Sequence, residues 1–136
     1  MSKIKLLNSG KIFENRDNQS ILDSALDAGL LLEYGCKTGR CGSCKSRLIS
    51  GKTKLIHEEV CLSKEELDQG WFLSCVRTAI DGDIEISAED LSEFPIQKPQ
   101  IFPCKIEDLT YLSNDVLRVS LRLPPGRKFS YRAGQH

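Results

Sequence analysis

The stretch from Tyr34 to Cys44 reads Tyr-Gly-Cys-Lys-Thr-Gly-Arg-Cys-Gly-Ser-Cys and constrains this chain more than any other. Cys36, Cys41 and Cys44 are separated by four and then two residues, and Cys75 follows in Trp-Phe-Leu-Ser-Cys-Val-Arg. Three thiols so close together must share one short loop. Gly35, Gly39, Gly42 and Ser43 supply the small residues such a loop needs to turn tightly and to aim backbone N–H groups at a common centre.

This spacing is that of the thiolate ligands of a plant-type 2Fe-2S cluster, with one loop wrapping one side and a distant segment closing the other. Cys36, Cys41, Cys44 and Cys75 are therefore the candidate metal and cofactor ligands, held as thiolates by the metal. Two other readings of the thiols exist. Structural zinc favours two Cys-x2-Cys pairs, and only Cys41/Cys44 forms one. A redox-active Cys41/Cys44 dithiol leaves Cys36 and Cys75 without a role.

Six cysteines in 136 residues suit metal ligation in a reducing compartment better than disulfides. With no apolar N-terminal core for a signal peptide and no apolar run of about 18 residues, a cytoplasmic protein with no membrane partner is expected. The 19 Lys/Arg balance 19 Asp/Glu, and so mild a charge pattern gives no reason to expect nucleic acid.

Ile4 and Leu6, then Ile12 and Phe13, flank the turn residues Asn8-Ser9-Gly10 and predict a β-hairpin. Ser20 is a helix N-cap and Gly29 a C-terminal stop, with Ile21, Leu22, Ala25 and Leu26 on the buried face. Ser46–Ser50 predicts a strand ending at Gly51. Ser63-Lys64-Glu65-Glu66 is a capping box for a short helix that Gly70 ends. The β-favouring run Trp71–Val76 places Cys75 on a strand. Asp81-Gly82-Asp83 predicts a turn before a final strand through Ile84 and Ile86. The expected fold is α+β, a small mixed sheet with a helix laid across it in the β-grasp arrangement.

Three domains or segments are expected: residues 1–92, a proline-rich linker at 93–103, and a second piece at 104–136. Pro95, Pro99 and Pro103 mark the linker. Beyond it, Cys104–Leu112 and Val116–Leu123 are strand-like runs about Ser113-Asn114-Asp115; Pro124-Pro125-Gly126 turns again, and a third strand begins at Phe129. Three strands cannot bury both faces or close a barrel, so this piece reads as the first strands of an incomplete domain.

Residues 1 to about 90 resemble a plant-type 2Fe-2S ferredoxin domain, and Phe129-Ser130-Tyr131-Arg132-Ala133-Gly134-Gln135-His136 resembles the start of the flavin-binding β-barrel of the ferredoxin-NADP reductase superfamily. The order of the two is similar to that of the phenol hydroxylase and methane monooxygenase reductases. Glu33 through Lys45 and Leu48-Ile49-Ser50-Gly51 look most like the hexulose-3-dehydrase reductase family of deoxysugar biosynthesis. The resemblance implies one-electron transfer through the cluster, with a flavin reductase domain as donor and an iron-sulfur dehydrase as acceptor. The alternative acceptor is an aromatic or alkane oxygenase, and the different-class alternative is a structural zinc module. The family's Arg-x-Tyr-Ser/Thr flavin motif and its NADH domain do not appear in these 136 residues. FAD is thus expected only in a full-length parent, and the isolated chain is not expected to oxidise NADH.

Lys37, Arg40, Lys45 and Arg47 give the loop a basic rim with no acid from 37 to 47, an expected docking surface for an acidic partner. Cys61 and Cys104 are expected as small buried hydrophobes, His57 and His136 as surface residues, and Tyr34 and Trp71 as cover for the cluster or core filling. Tyr131 and Arg132 receive no role.

Overall fold

The computed structural model describes residues 1–93 and 101–129. The chain divides into two units, Met1–Ile96 and Gln97–His136.

The first unit opens with β1 (Ser2–Leu6) and β2 (Ile12–Asn15), paired antiparallel across the expected turn. Alternation sends Ser2, Ile4 and Leu6 inward and Lys3 and Lys5 to solvent. Helix α1 (Ile21–Asp27) starts where the Ser20 side chain accepts from Asp23 N at 3.0 Å. It ends in a paired C-terminal closure, Gly29 N to Leu26 O and Leu30 N to Ala25 O. That closure needs a left-handed residue, and Gly29 supplies it at φ 78°. Ile21, Leu22 and Ala25 are buried, while Leu26 is only partly covered.

Four more elements complete this unit: β3 (Lys45–Leu55), α2 (Lys64–Asp68), β4 (Trp71–Leu73) and β5 (Arg77–Ser87). The sheet order is β2-β1-β5-β3-β4, with β1 and β5 parallel and the other pairs antiparallel. Both sides of the Ser63/Glu66 capping box are present at α2. This is the expected β-grasp sheet, with α1 laid over β2 and β5.

Two expected boundaries move. The strand predicted to stop at Gly51 continues to Leu55, because Gly51 serves as a close-approach residue inside the strand. A Cβ there would lie 2.5 Å from Ile84 Cγ2, at a φ of 89°. Asp81-Gly82-Asp83 does not end a strand either; it is a bulge within β5, with Asp81 at φ 59° and Gly82 at φ 117°. Opposite it the pairing jumps from Ser50↔Glu85 to Lys52↔Ile80. The local left-handed signals were real, and the long β3–β5 ribbon absorbs them as irregularities. The bulge also caps β1, since Asp83 accepts from Lys3 N at 2.8 Å.

In the second unit β6 (Lys105–Tyr111) pairs antiparallel with β7 (Leu117–Arg122) around the expected 113–115 turn. A register shift between Ile106 and Asp108 brings Ile106, Leu109 and Tyr111 onto the same face as Leu117, Val119 and Leu121. The Pro124–Gly126 turn closes with Arg127 N on Pro124 O at 3.3 Å. Most of the expected linker, at 94–100, and the expected third strand beyond Phe129 lie outside the described residues.

Candidate metal centre

The loop that follows Leu32, itself bridged to Asp90, folds back on its own sulfurs. Cys36 N donates to Cys41 Sγ at 3.3 Å and Thr38 N to Cys36 Sγ at 3.3 Å. Cys41 Sγ and Ser43 Oγ are hydrogen-bonded at 3.4 Å. Gly35 is tightly flanked, since a Cβ there would lie 3.1 Å from both Cys41 Sγ and Ser43 Oγ. Lys37 takes the left-handed conformation at φ 58°, helping N–H groups turn inward.

Cys75 is not on a strand. It occupies the turn between β4 and β5, closed by Val76 N on Leu73 O at 3.2 Å. The β-favouring residues around it are used for burial, with Phe72, Leu73 and Val76 all in the core. Ser74 docks this turn on the loop's end, since both its N–H and its hydroxyl donate to Cys44 O, at 3.1 and 3.2 Å. Leu22 N donates to Ser74 O at 3.0 Å, so α1 braces the turn from the other side. Cys75 Sγ thereby comes to 3.2 Å from Cys44 Sγ.

The four predicted thiols therefore gather as two pairs of different character. Cys36 and Cys41 are exposed; Cys44 and Cys75 are 3% and 5% exposed. Hydrogen bonds from Thr38, then from the Arg40 amide and Cys41, lower the Cys36 thiol to about 5. In the buried pair, the hydrogen bond from Cys75 lowers Cys44 to about 6, against its desolvation. That same bond, with burial, pushes Cys75 far above the ordinary thiol value. Metal binding requires the thiolate form of both sulfurs, so a metal held here would release their protons.

This donor set fits a two-iron cluster. Sulfurs sharing one tetrahedral metal with bonds of about 2.3 Å lie roughly 3.8 Å apart, so 3.2 Å needs little adjustment. Among the described residues no three or more His, Cys, Asp or Glu side chains are grouped to hold a single metal ion.

The basic rim is less available than its sequence suggests. Lys37 pairs with Asp23 at 3.2 Å and lies 5.0 Å from the Tyr34 ring centre. Lys45 pairs with Glu66 and, like Arg47, lies over Trp71; Arg47 Nε also donates to Gln69 O. Of the four rim cations, Lys37 and Lys45 are ion-paired, whereas exposed Arg40 and Arg47 have no carboxylate partner among the described residues. Tyr34 packs against the core edge as expected, and His57 is exposed; Tyr131, Arg132 and His136 lie outside the described residues.

Cys61 and Cys104 are both exposed rather than buried. Cys61 lies on an irregular stretch beside the loop, where a Cβ on Gly42 would be 3.5 Å from its sulfur. Cys104 precedes β6, in a unit with no buried residue among those described. Glu59 went unnoticed in the sequence: it is 14 residues from Leu73 and 18 from Arg77, both of which it contacts. No local pattern signals such a contact.

Among the described residues no helix is long and apolar enough to cross a membrane. The CDP-6-deoxy-L-threo-D-glycero-4-hexulose-3-dehydrase reductase of Yersinia pestis is 39% identical over 133 residues, 98% of this chain and 40% of that protein. The terephthalate 1,2-dioxygenase reductase component 1 of Comamonas sp is 32% identical over 98% of this chain and 39% of its own length. The chain thus spans about 40% of the length of these curated relatives. Among solved structures, the ferredoxin reductase in carbazole 1,9a-dioxygenase superposes with a TM-score of 0.64 at 24% identity, over 90% of this chain and 37% of that one. Coverage so broad extends past the first unit, and the β6–β7 sheet resembles the start of the FAD-binding barrel of such reductases. Residues 4–79, more than half of the chain, match the 2Fe-2S iron-sulfur cluster binding domain. The chain belongs to that family, and a 2Fe-2S cluster is its cofactor.

Proposed function

We propose that Cys36 and Cys41 hold one iron of the cluster and Cys44 and Cys75 the other, and that the chain is the electron-transfer part of an NADH- and FAD-dependent reductase serving a dehydrase of deoxysugar biosynthesis. The observation that carries the ligand assignment is the gathering of the four thiols into two pairs, one on the loop and one at the buried 3.2 Å contact. The acceptor class rests on 39% identity sustained over 98% of the chain.

When bound, a cluster of this type supplies one-electron chemistry near roughly −400 mV, tuned by hydrogen bonds, charge and exposure. The chain's own contribution is positional. Thr38 N–H holds Cys36 as an acceptor, the missing Cβ of Gly35 leaves space beside Cys41, and Ser74 ties the Cys75 turn to Cys44. The exposed pair makes the loop the contact face for both donor and acceptor. Residues 1–92 form the ferredoxin-type domain in this reading, 93–103 a linker, and 104–136 the first strands of a flavin-binding barrel, with FAD held by a longer parent in the cytoplasm.

A second reading, reductase of a ring-hydroxylating or alkane oxygenase, is favoured by the 32% identity to the dioxygenase reductase component. The two are separated by mixing the photoreduced chain anaerobically with a purified hexulose dehydrase or with a terminal dioxygenase and following reoxidation by stopped flow. Rapid electron delivery to the dehydrase alone supports the deoxysugar role. Delivery only to the dioxygenase replaces it, and NADH oxidation by the isolated chain would show that the flavin parent is not required.

A further inference from the structure

Residues Ile56–Val60 have no regular structure, yet they contact both halves of the thiol site. On one side Val60 N donates to Gly39 O at 3.3 Å, and a Cβ on Gly39 would strike Glu58 O at 2.3 Å. This presses the segment against the three-cysteine loop. On the other side Ile56 N and His57 N both reach Val76 O, at 2.9 and 3.4 Å. Between these attachments the Glu59 side chain points inward and is 3% exposed.

Its carboxylate is fully engaged. Oε1 accepts from Leu73 N at 2.8 Å and Arg77 Nε at 3.1 Å, and Oε2 from Arg77 Nη2 at 2.7 Å. Arg77 also donates from Nη1 to Thr53 Oγ1 at 3.4 Å, which fixes its plane against β3. Leu73 and Arg77 stand two residues before and two after Cys75. One enclosed acid therefore grips the backbone and the side chain on either side of the fourth thiol.

Stability alone is a weak explanation for this arrangement. Removing ions from water is costly, and a well-packed apolar pair commonly stabilises a fold as well or better. What a bidentate carboxylate–guanidinium contact adds is direction, since both planes must align. We propose that Glu59, through Leu73 N–H and Arg77, is the positioning residue that sets Cys75 against the loop carrying Cys36, Cys41 and Cys44. This rests on Cys75 being a ligand, as proposed above.

The test uses the full 136-residue chain, reconstituted anaerobically, in four forms: wild type, Glu59→Gln, the neutral pair Glu59→Gln/Arg77→Met, and Cys75→Ser. Three quantities are read: urea midpoint, electron paramagnetic resonance line shape after reduction, and the rate of cluster loss to a ferrous chelator. Outer-sphere partners of metal ligands typically alter metal retention by about 10- to 100-fold. Glu59→Gln is expected to lose its cluster about tenfold faster with altered line shape. The double variant recovers the urea midpoint, because no charge is left unpaired, but keeps the fast loss and altered line shape. That split separates positioning from stability, and the double variant decides the matter should Glu59→Gln not fold. Wild-type line shape and loss rate in a folded double variant would overturn the proposal. A wild-type cluster in Cys75→Ser would instead sink the ligand assignment, independently of Glu59.

Discussion

The two units use the same sequence device with different results. In the first, alternation along β1 and along the 84–86 part of β5 sends Ile4, Leu6, Ile84 and Ile86 beneath α1 and into a core. All buried hydrophobic residues among those described lie between Ile4 and Ala88. In the second, β7 alternates and β6 joins its apolar face through the shift after Ile106, but that face stays exposed: Ile106, Leu109, Tyr111, Leu117, Val119 and Leu121 are 41–76% exposed. Among the described residues of this unit no further helix or strand is present to cover the two-stranded ladder. Alternation announces a face that favours burial; only a partner element turns that face into stability. The thiol site is built where the partner exists, with Cys44 and Cys75 themselves in the core cluster.

The sharpest way to break the comparison is to remove thiols from each unit. Cys44→Ser is expected to abolish stable cluster assembly, whereas Cys104→Ser leaves iron content and visible spectrum unchanged. Equal loss in both would erase the distinction between the units. Next in size is the packing contrast. Leu22→Ala empties a fully buried position and should cost about 2–5 kcal/mol, while exposed Val119→Ala should cost less than about 0.5 kcal/mol. Urea unfolding followed by the fluorescence of Trp71, the single tryptophan, reports on the first unit. Comparable shifts in its midpoint would contradict the account.

A smaller effect concerns Asp90, whose side chain is 9% exposed and pairs with Lys11 at 2.8 Å. Burial opposes its charge, yet Lys11 and the hydrogen bonds from Ser92 and Ser9 prevail and hold the carboxyl well below the usual range. A depressed folded value means stabilisation present in full above the unfolded value of about 3.9 and lost as pH falls through it toward the folded one. Wild type should therefore lose stability faster than Asp90→Asn as pH drops below about 4. Parallel pH profiles of the two midpoints would remove Asp90 from the account.

Much of this was legible in the sequence because it is local. The hairpin, both helix caps, the Gly29 stop and the thiol spacing each depend on residues within a few positions of one another, where backbone chemistry decides the outcome. What the sequence hid is non-local. Cys75 leaves its strand because Ser74 binds the Cys44 carbonyl, and Gly51 continues a strand because Ile84 comes close. Two of the four rim charges, Lys37 and Lys45, are paired by Asp23 on α1 and Glu66 on α2. The exposure of Cys61 follows from an irregular stretch whose position is set by Gly39 and Val76. Glu59 is the extreme case, an ordinary acid in sequence whose partners are assigned by the fold.

Whether these four thiols hold a 2Fe-2S cluster is decided by metal and sulfide analysis of the anaerobically reconstituted chain, with a spectrum before and after reduction. Two irons and two sulfides per chain are expected, with visible bands that bleach on reduction and a paramagnetic signal that appears with the added electron. A colourless protein carrying one zinc, with no signal on reduction, would contradict the assignment.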